Sequence, residues 1–130
     1  MKLYNTLKSL IMEVATREEC TRAISSRNLV SIFYEGDTTI NKGWRTIEPV
    51  ALGMSKTKFG SGNLVIRAWQ VEGATDTPEN SPGWRMFRAD RVSTWNKLMD
   101  TFDEPRPQYN PRGDKSMRTV YINANFNNNG

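Results

Sequence analysis

Between residues 29 and 97 the chain is a succession of short β-forming runs broken by Gly, Pro and Asn, with no alternation of strand and helix. That pattern narrows the fold more than any other feature, because a parallel α/β sheet needs helices between its strands. What remains is α+β: N-terminal helices, then a small β-barrel or strongly curled sheet of about five strands, then an extended C-terminal tail. In residues 29–34, Val30, Ile32 and Tyr34 fall on one face and Leu29, Ser31 and Phe33 on the other, the alternation of a strand. Residues 44–54 form a second run interrupted by Pro49, which lacks an N–H and therefore belongs at an edge or a bulge. Residues 63–71, 84–89 and 92–97 supply the remaining runs. A basic, Gly-containing connection at 56–62 and a longer loop at 73–83, with Pro78 and Pro82, separate them.

Upstream, Leu3, Leu7, Leu10, Ile11 and Val14 recur at the spacing of one helical face over residues 3–14. Thr16 followed by Glu19 has capping-box spacing, and Cys20, Ala23 and Ile24 give a second helix, over 17–26, its apolar stripe. The first stripe is more apolar than a lone peripheral helix keeps. It is expected to pack on the barrel or to pair across a two-fold axis, and a homodimer through this helix is the expectation adopted. The chain thus divides into a helical segment at 1–28, a barrel at 29–98 and a tail at 99–130 containing Pro105, Pro107 and Pro111. Residues 101–110 are expected to wrap the barrel, since Phe102 and Tyr109 would otherwise be exposed. Residues 117–122 offer an edge strand, and the Asn-rich end from Asn123 reads as frayed.

At 130 residues, 37% hydrophobic and 25% charged, this is the composition of one ordinary globular domain. It contains no histidine, which removes Ser-His-Asp and Cys-His nucleophiles, His-ligated metals and imidazole bases. The single cysteine, Cys20, falls on an apolar stripe with no histidine to activate it and no second cysteine to bridge. A core role in a reducing cytosol fits it. No run resembles a signal peptide or the ~20 apolar residues of a membrane span, so a cytoplasmic protein without membrane contact is expected. Asp100, Asp103 and Glu104 lack the Gly turn and ligand count of a calcium loop, and no phosphate-loop or dinucleotide fingerprint occurs. No metal, cofactor or catalytic residue is therefore assigned, and a non-enzymatic role is expected. Eighteen Lys and Arg against fourteen Asp and Glu leave a net charge of +4. No segment is a basic tail, so an anion site must be assembled by folding.

Three stretches carry a resemblance. The run Ala23-Ile24-Ser25-Ser26-Arg27-Asn28-Leu29-Val30-Ser31-Ile32-Phe33-Tyr34 resembles the helix and first strand that open WYL domains. Arg45-Thr46-Ile47-Glu48-Pro49 is similar to their Arg-x-Ile-x-Pro element, and Phe87-Arg88-Ala89-Asp90-Arg91-Val92 to their closing Phe-Arg-Leu-Asp-Arg-Ile motif. Order and spacing agree over residues 16–96. Leu64-Val65-Ile66 stands where Trp-Tyr-Leu would precede Arg67-Ala68-Trp69, keeping the hydrophobic strand and losing the aromatic. The resemblance implies an SH3-like or Sm-like barrel that binds nucleic acid or nucleotide-type ligands, usually joined to a winged-helix DNA reader in bacterial regulators. The roughly 28 residues before the barrel are too few for such a reader. A solitary domain with a Pro-rich tail looks like the versions carried by tailed bacteriophages, which would act in the host cytoplasm.

Candidate ligand residues follow from the strand alternation. Arg67 and Trp69 share a face of the third run, a guanidinium for phosphate beside an indole on which a base can stack, worth about 1–3 kcal/mol per base. The alternative is a Trp covering the end of the barrel with Arg67 packed on it by cation–π contact. Leu64, Ile66 and Ala68 take the core face. Arg88 points away from Phe87 and Ala89, and with Arg91 it would hold a phosphate bidentately. Alternatively, Asp90 engages Arg91 or Arg45 as a buried ion pair. Arg45, Lys56 and Lys58 would extend the basic track at one mouth of the barrel, unless the lysines are only solvated loop charges. The reading adopted is a non-enzymatic WYL-like module that binds single-stranded nucleic acid, or an oligonucleotide or cyclic-nucleotide ligand, through Arg45, Lys58, Arg67, Trp69, Arg88 and Arg91. Its rival is a structural or protein-interaction module whose basic residues brace the barrel.

Overall fold

The computed structural model describes residues 15–36, 42–57, 60–75 and 77–126. The amphipathic stretch 3–14, with the dimer contact expected of it, Lys58, and the closing residues 127–130 lie outside this range. A π-helical turn, Ala15–Glu19, runs directly into α1, Cys20–Ser26. Helical geometry is already present at Ala15, and Thr16 lies inside the helical run rather than capping it. The expected stripe holds: Cys20, Ala23 and Ile24 are all buried. Arg27 ends α1 in the left-handed region, φ 55°, where its N–H reaches the carbonyls of Ala23 and Ile24.

Six antiparallel strands follow: β1 Asn28–Tyr34, β2 Gly43–Thr57, β3 Gly60–Gly73, β4 Gly83–Arg88, β5 Val92–Thr101 and β6 Met117–Asn123. Val30, Ile32 and Tyr34 are the buried face of β1, as its alternation requires. One edge of β2 pairs with β3. Its other edge serves β1 through Gly43–Ile47 and then β6 through Ala51–Ser55. The change of partner falls around Pro49, and the β2–β3 ladder slips between Pro49 and Ala51, so the proline sits at a bulge. Gly53 has no room for a Cβ against the Thr119 carbonyl, which is what lets β6 lie against β2.

The strand order is β4-β3-β2-β1-β5 with β6 beside β2, so the sheet is open and the expected closed barrel is not formed. A three-residue 3₁₀ turn, Ala89–Arg91, joins the two end strands, and no ladder runs between them. At this open edge the Arg88 backbone N–H donates instead to the Tyr34 hydroxyl, 3.2 Å away. A sheet whose first and last strands are tied by so short a turn must curl strongly, and the core lies within the curl. It consists of the α1 stripe with Val30, Ile32, Ile47, Leu52, Ile66, Phe87 and Val92, none more than 2% exposed.

The tail wraps as expected. Phe102 is buried and Tyr109 half-buried, and Met117–Asn123 forms the edge strand. The fraying expected from Asn123 does not begin there. Ala124 donates its N–H to the Val50 carbonyl, and the Phe126 ring packs on Phe102 and Tyr109. Apolar groups, rather than the asparagines, hold residues 124–126 against the sheet.

Candidate functional site

Register places the candidates. β3 and β4 pair Val65 with Arg88, Arg67 with Met86 and Trp69 with Trp84. Paired residues share a face, so Arg67, Trp69, Trp84 and Arg88 stand together on the outward side of this hairpin, opposite the core residues Ile66, Ala68 and Phe87. Arg88 is bound bidentately by Asp90, 2.7 and 3.1 Å, in an exposed pair whose side chains are 39% and 60% accessible. Asp90 thus serves Arg88, not Arg91 or Arg45. Arg67 is held by Asp114, through its Nε and, at 3.3 Å, its Nη2. The cation over Trp69 is Arg106, 5.2 Å from the ring centroid, rather than Arg67.

The other candidates lie elsewhere. Arg45 is 5% exposed, with its guanidinium over the Tyr34 and Phe87 rings and its Nη1 donating to Gln70 Oε1 at 3.1 Å. It follows Ile47 by alternation onto the inner face, so it lines no mouth. Arg91 donates its Nη1 to the Gly36 carbonyl at 2.7 Å, next to the end of β1. Lys56 is exposed, and its backbone N–H is taken by Ser116.

What covers the outward face is the tail. Arg106 forks onto Glu48, 2.9 and 2.8 Å, a carboxylate otherwise buried. Trp84 Nε1 donates to the Pro107 carbonyl at 2.8 Å, and Tyr109 stacks beside the Trp84 ring at 6.5 Å. Tyr109 also donates its hydroxyl to the Ala124 carbonyl at 2.6 Å, and burial pushes its pKa above the ordinary tyrosine value. Burial opposes the charge of Asp114. The Arg67 hydrogen bonds, the Ser116 N–H and the Arg67 charge outweigh it and hold the carboxyl below its usual range. Between residues 108–116 and the sheet a cleft of about 340 Å3 remains, lined by Arg67, Trp84, Tyr109, Asp114 and Lys115 among others. Trp84 was legible, since it alternates with Met86 and Arg88. Arg106 and Asp114 were not, because a Pro-rich segment has no periodicity to say which way its side chains turn, and Tyr109 was readable only as an aromatic that the wrap must cover.

These features define a class: an open, curled antiparallel sheet with a short helix inside the curl and a strap across its outward β3–β4 face. No protein-family model and no curated protein matches the chain. Among solved structures it is similar to the proteasome accessory factor B/C (PafBC) of Arthrobacter aurescens, with a TM-score of 0.54 at 20% sequence identity. The likeness covers 75% of this chain and 13% of that one, and it is a likeness of fold. No helix among the described residues is long and apolar enough to cross a membrane.

Proposed function

We propose that the chain is a non-enzymatic, WYL-type regulatory module whose outward β3–β4 face binds single-stranded nucleic acid. The motifs from Ala23 to Val92 and the likeness of fold to PafBC, a WYL-domain-containing regulator, support the class. The observation that carries the ligand is the gathering of Arg67, Trp69 and Arg88 on one outward face, beside a cleft walled by Trp84 and Tyr109. Arg88 is the leading phosphate contact. Its pair with Asp90 is solvent-exposed, and such pairs are worth about 0–1 kcal/mol, so a phosphate displaces the carboxylate at little cost. Arg45 and Arg91 act as braces.

Fluorescence polarisation with labelled single strands at ~50 and ~200 mM salt tests this reading, with an expected slope of ~0.7 log units per phosphate neutralised. Absence of binding at low salt to single strands of any composition rejects it. A second reading, a structural or interaction module, is favoured by one observation: Arg67 and Arg88 each already hold a carboxylate of this chain. Arg88→Ala separates the two. The exposed position leaves the fold intact, so binding reduced by about tenfold supports the nucleic-acid reading, and unchanged binding supports bracing.

A further inference from the structure

Where the sequence places a phosphate, on Arg67, the chain has put Asp114, and where it places a base, over the Trp69 indole, the chain has put Arg106. A carboxylate held by the Nε and Nη2 of a guanidinium occupies the geometry that phosphate oxygens take on the same fork. The segment carrying Asp114 is anchored at Tyr109 on one side and at Ser116–Met117 on the other, where the Ser116 carbonyl accepts the Lys56 N–H at 2.9 Å. Tyr109 is fixed by its hydroxyl bond to Ala124, and Met117, 4% exposed, begins β6. Between them Asn110, Pro111, Arg112, Lys115 and Ser116 are exposed, and Gly113 turns the chain at φ 130°. The bonds this loop makes to itself are local: Arg112 N–H to Asn110 Oδ1, Gly113 N–H to the Asn110 carbonyl, and Ser116 N–H to Asp114. A loop of this kind lifts without unfolding the strands on either side.

We infer that Arg67 is a phosphate subsite which Asp114 fills as a built-in competitor, and that a nucleic-acid phosphate binds there by displacing Asp114 with loop 110–115. The inference rests on the proposed nucleic-acid reading and assigns it a gate. Charge on the loop suits the exchange, since Arg112 and Lys115 flank Asp114. When the carboxylate leaves Arg67, these two cations remain beside the incoming strand. Lys115 already lines the cleft that a base would enter next to Trp84 and Tyr109.

Asp114→Asn in the full-length chain tests the exchange, because it keeps the shape of the side chain and removes the charge that competes. Measured by polarisation with a labelled thymidine oligonucleotide, its affinity should rise about fivefold or more, the equivalent of one surface interaction no longer opposed. Adding Arg67→Ala to Asp114→Asn should cancel the gain, and hydrogen exchange in residues 110–115 of the unaltered protein should quicken when the oligonucleotide binds. Wild-type binding that Asp114→Asn leaves unchanged or weakens overturns the competitor while the proposed function stands, as does a gain that survives loss of Arg67. If neither protein binds at low salt, the proposed function itself fails. Should Asp114→Asn unfold the chain, Asp114→Glu, which keeps the charge, serves in its place: it must not gain affinity, and a gain counts against competition.

Discussion

Arg45 and Arg88 are the same residue type on neighbouring parts of one sheet, and their surroundings give them opposite work. The Arg45 guanidinium is sandwiched against Tyr34 and Phe87 and bonded to Gln70, itself 0% exposed, whose Nε2 in turn donates to the Ala74 carbonyl. Removing Arg45 strips two rings of their neighbour and leaves a buried amide oxygen without its donor. Arg45→Ala should therefore lower stability by about 2–4 kcal/mol in urea titrations, and Arg45→Met, which restores bulk but no donor, by less. A loss under about 1 kcal/mol would mean that the arginine is not a brace. Cys20 gives a second residue-level expectation. Burial first, and the Glu19 charge after it, push its thiol well above the ordinary value, so it should resist thiol reagents in the native protein and react only on unfolding. Labelling at the native rate of a free thiol would contradict its place in the core. That a buried thiol stood at position 20 was legible from helical spacing. That Arg45 faces inward was hidden, because alternation alone places it beside Ile47 while its charge argues for solvent, and only the aromatic and amide partners decide the contest.

At the level of elements, strands were readable wherever β-branched and aromatic residues alternate, and Pro49 announced the bulge at which β2 changes partner. Closure of the sheet was not readable. It depends on whether three residues, Ala89–Arg91, leave the end strands in register, and instead they form a 3₁₀ turn that sends the Arg88 N–H to Tyr34. The tail was foreseen as a wrap from Phe102 and Tyr109, yet its path across β3–β4 is fixed by pairs between residues distant in sequence, such as Glu48 with Arg106. That pair should hold the strap down. Glu48 is 4% exposed and Arg106 covers it from the solvent side, so Arg106→Ala strands a buried carboxylate and uncovers Trp69. A loss of about 1–3 kcal/mol is expected, below the full penalty for a broken buried pair because Arg106 itself is partly solvated. Coupling to Glu48→Gln in a double-mutant cycle measures the pair directly, and a coupling near zero would assign the strap to its apolar contacts alone.

Over the whole molecule the tail completes what an open sheet leaves undone, covering the indoles of the outward face and supplying the sixth strand, and beside the Arg106–Glu48 pair Asp114 and Tyr109 help to fasten it. Their signs are opposite. Asp114 titrates below its unfolded value, so the stability it gives is present above the ordinary Asp pKa of ~3.9 and is lost as pH falls through the depressed folded value. Tyr109 titrates above its unfolded value, so its share is present below ~10 and is lost as pH rises through the raised folded value. Melting temperature should thus run flat between these limits and fall at both ends. Asp114→Asn should flatten the acid edge and leave the alkaline one. Tyr109→Phe should flatten the alkaline edge, with a uniform loss of about 1 kcal/mol because the Ala124 carbonyl loses its donor. Nucleic-acid binding adds a further test, since protonating Asp114 discharges the group that competes for Arg67. Once the fall in binding of an Asp114→Asn control is divided out, wild-type affinity should gain toward the acid edge. An affinity ratio between the two proteins that stays constant from neutral pH into that edge would show that Asp114 fastens the strap without guarding the arginine.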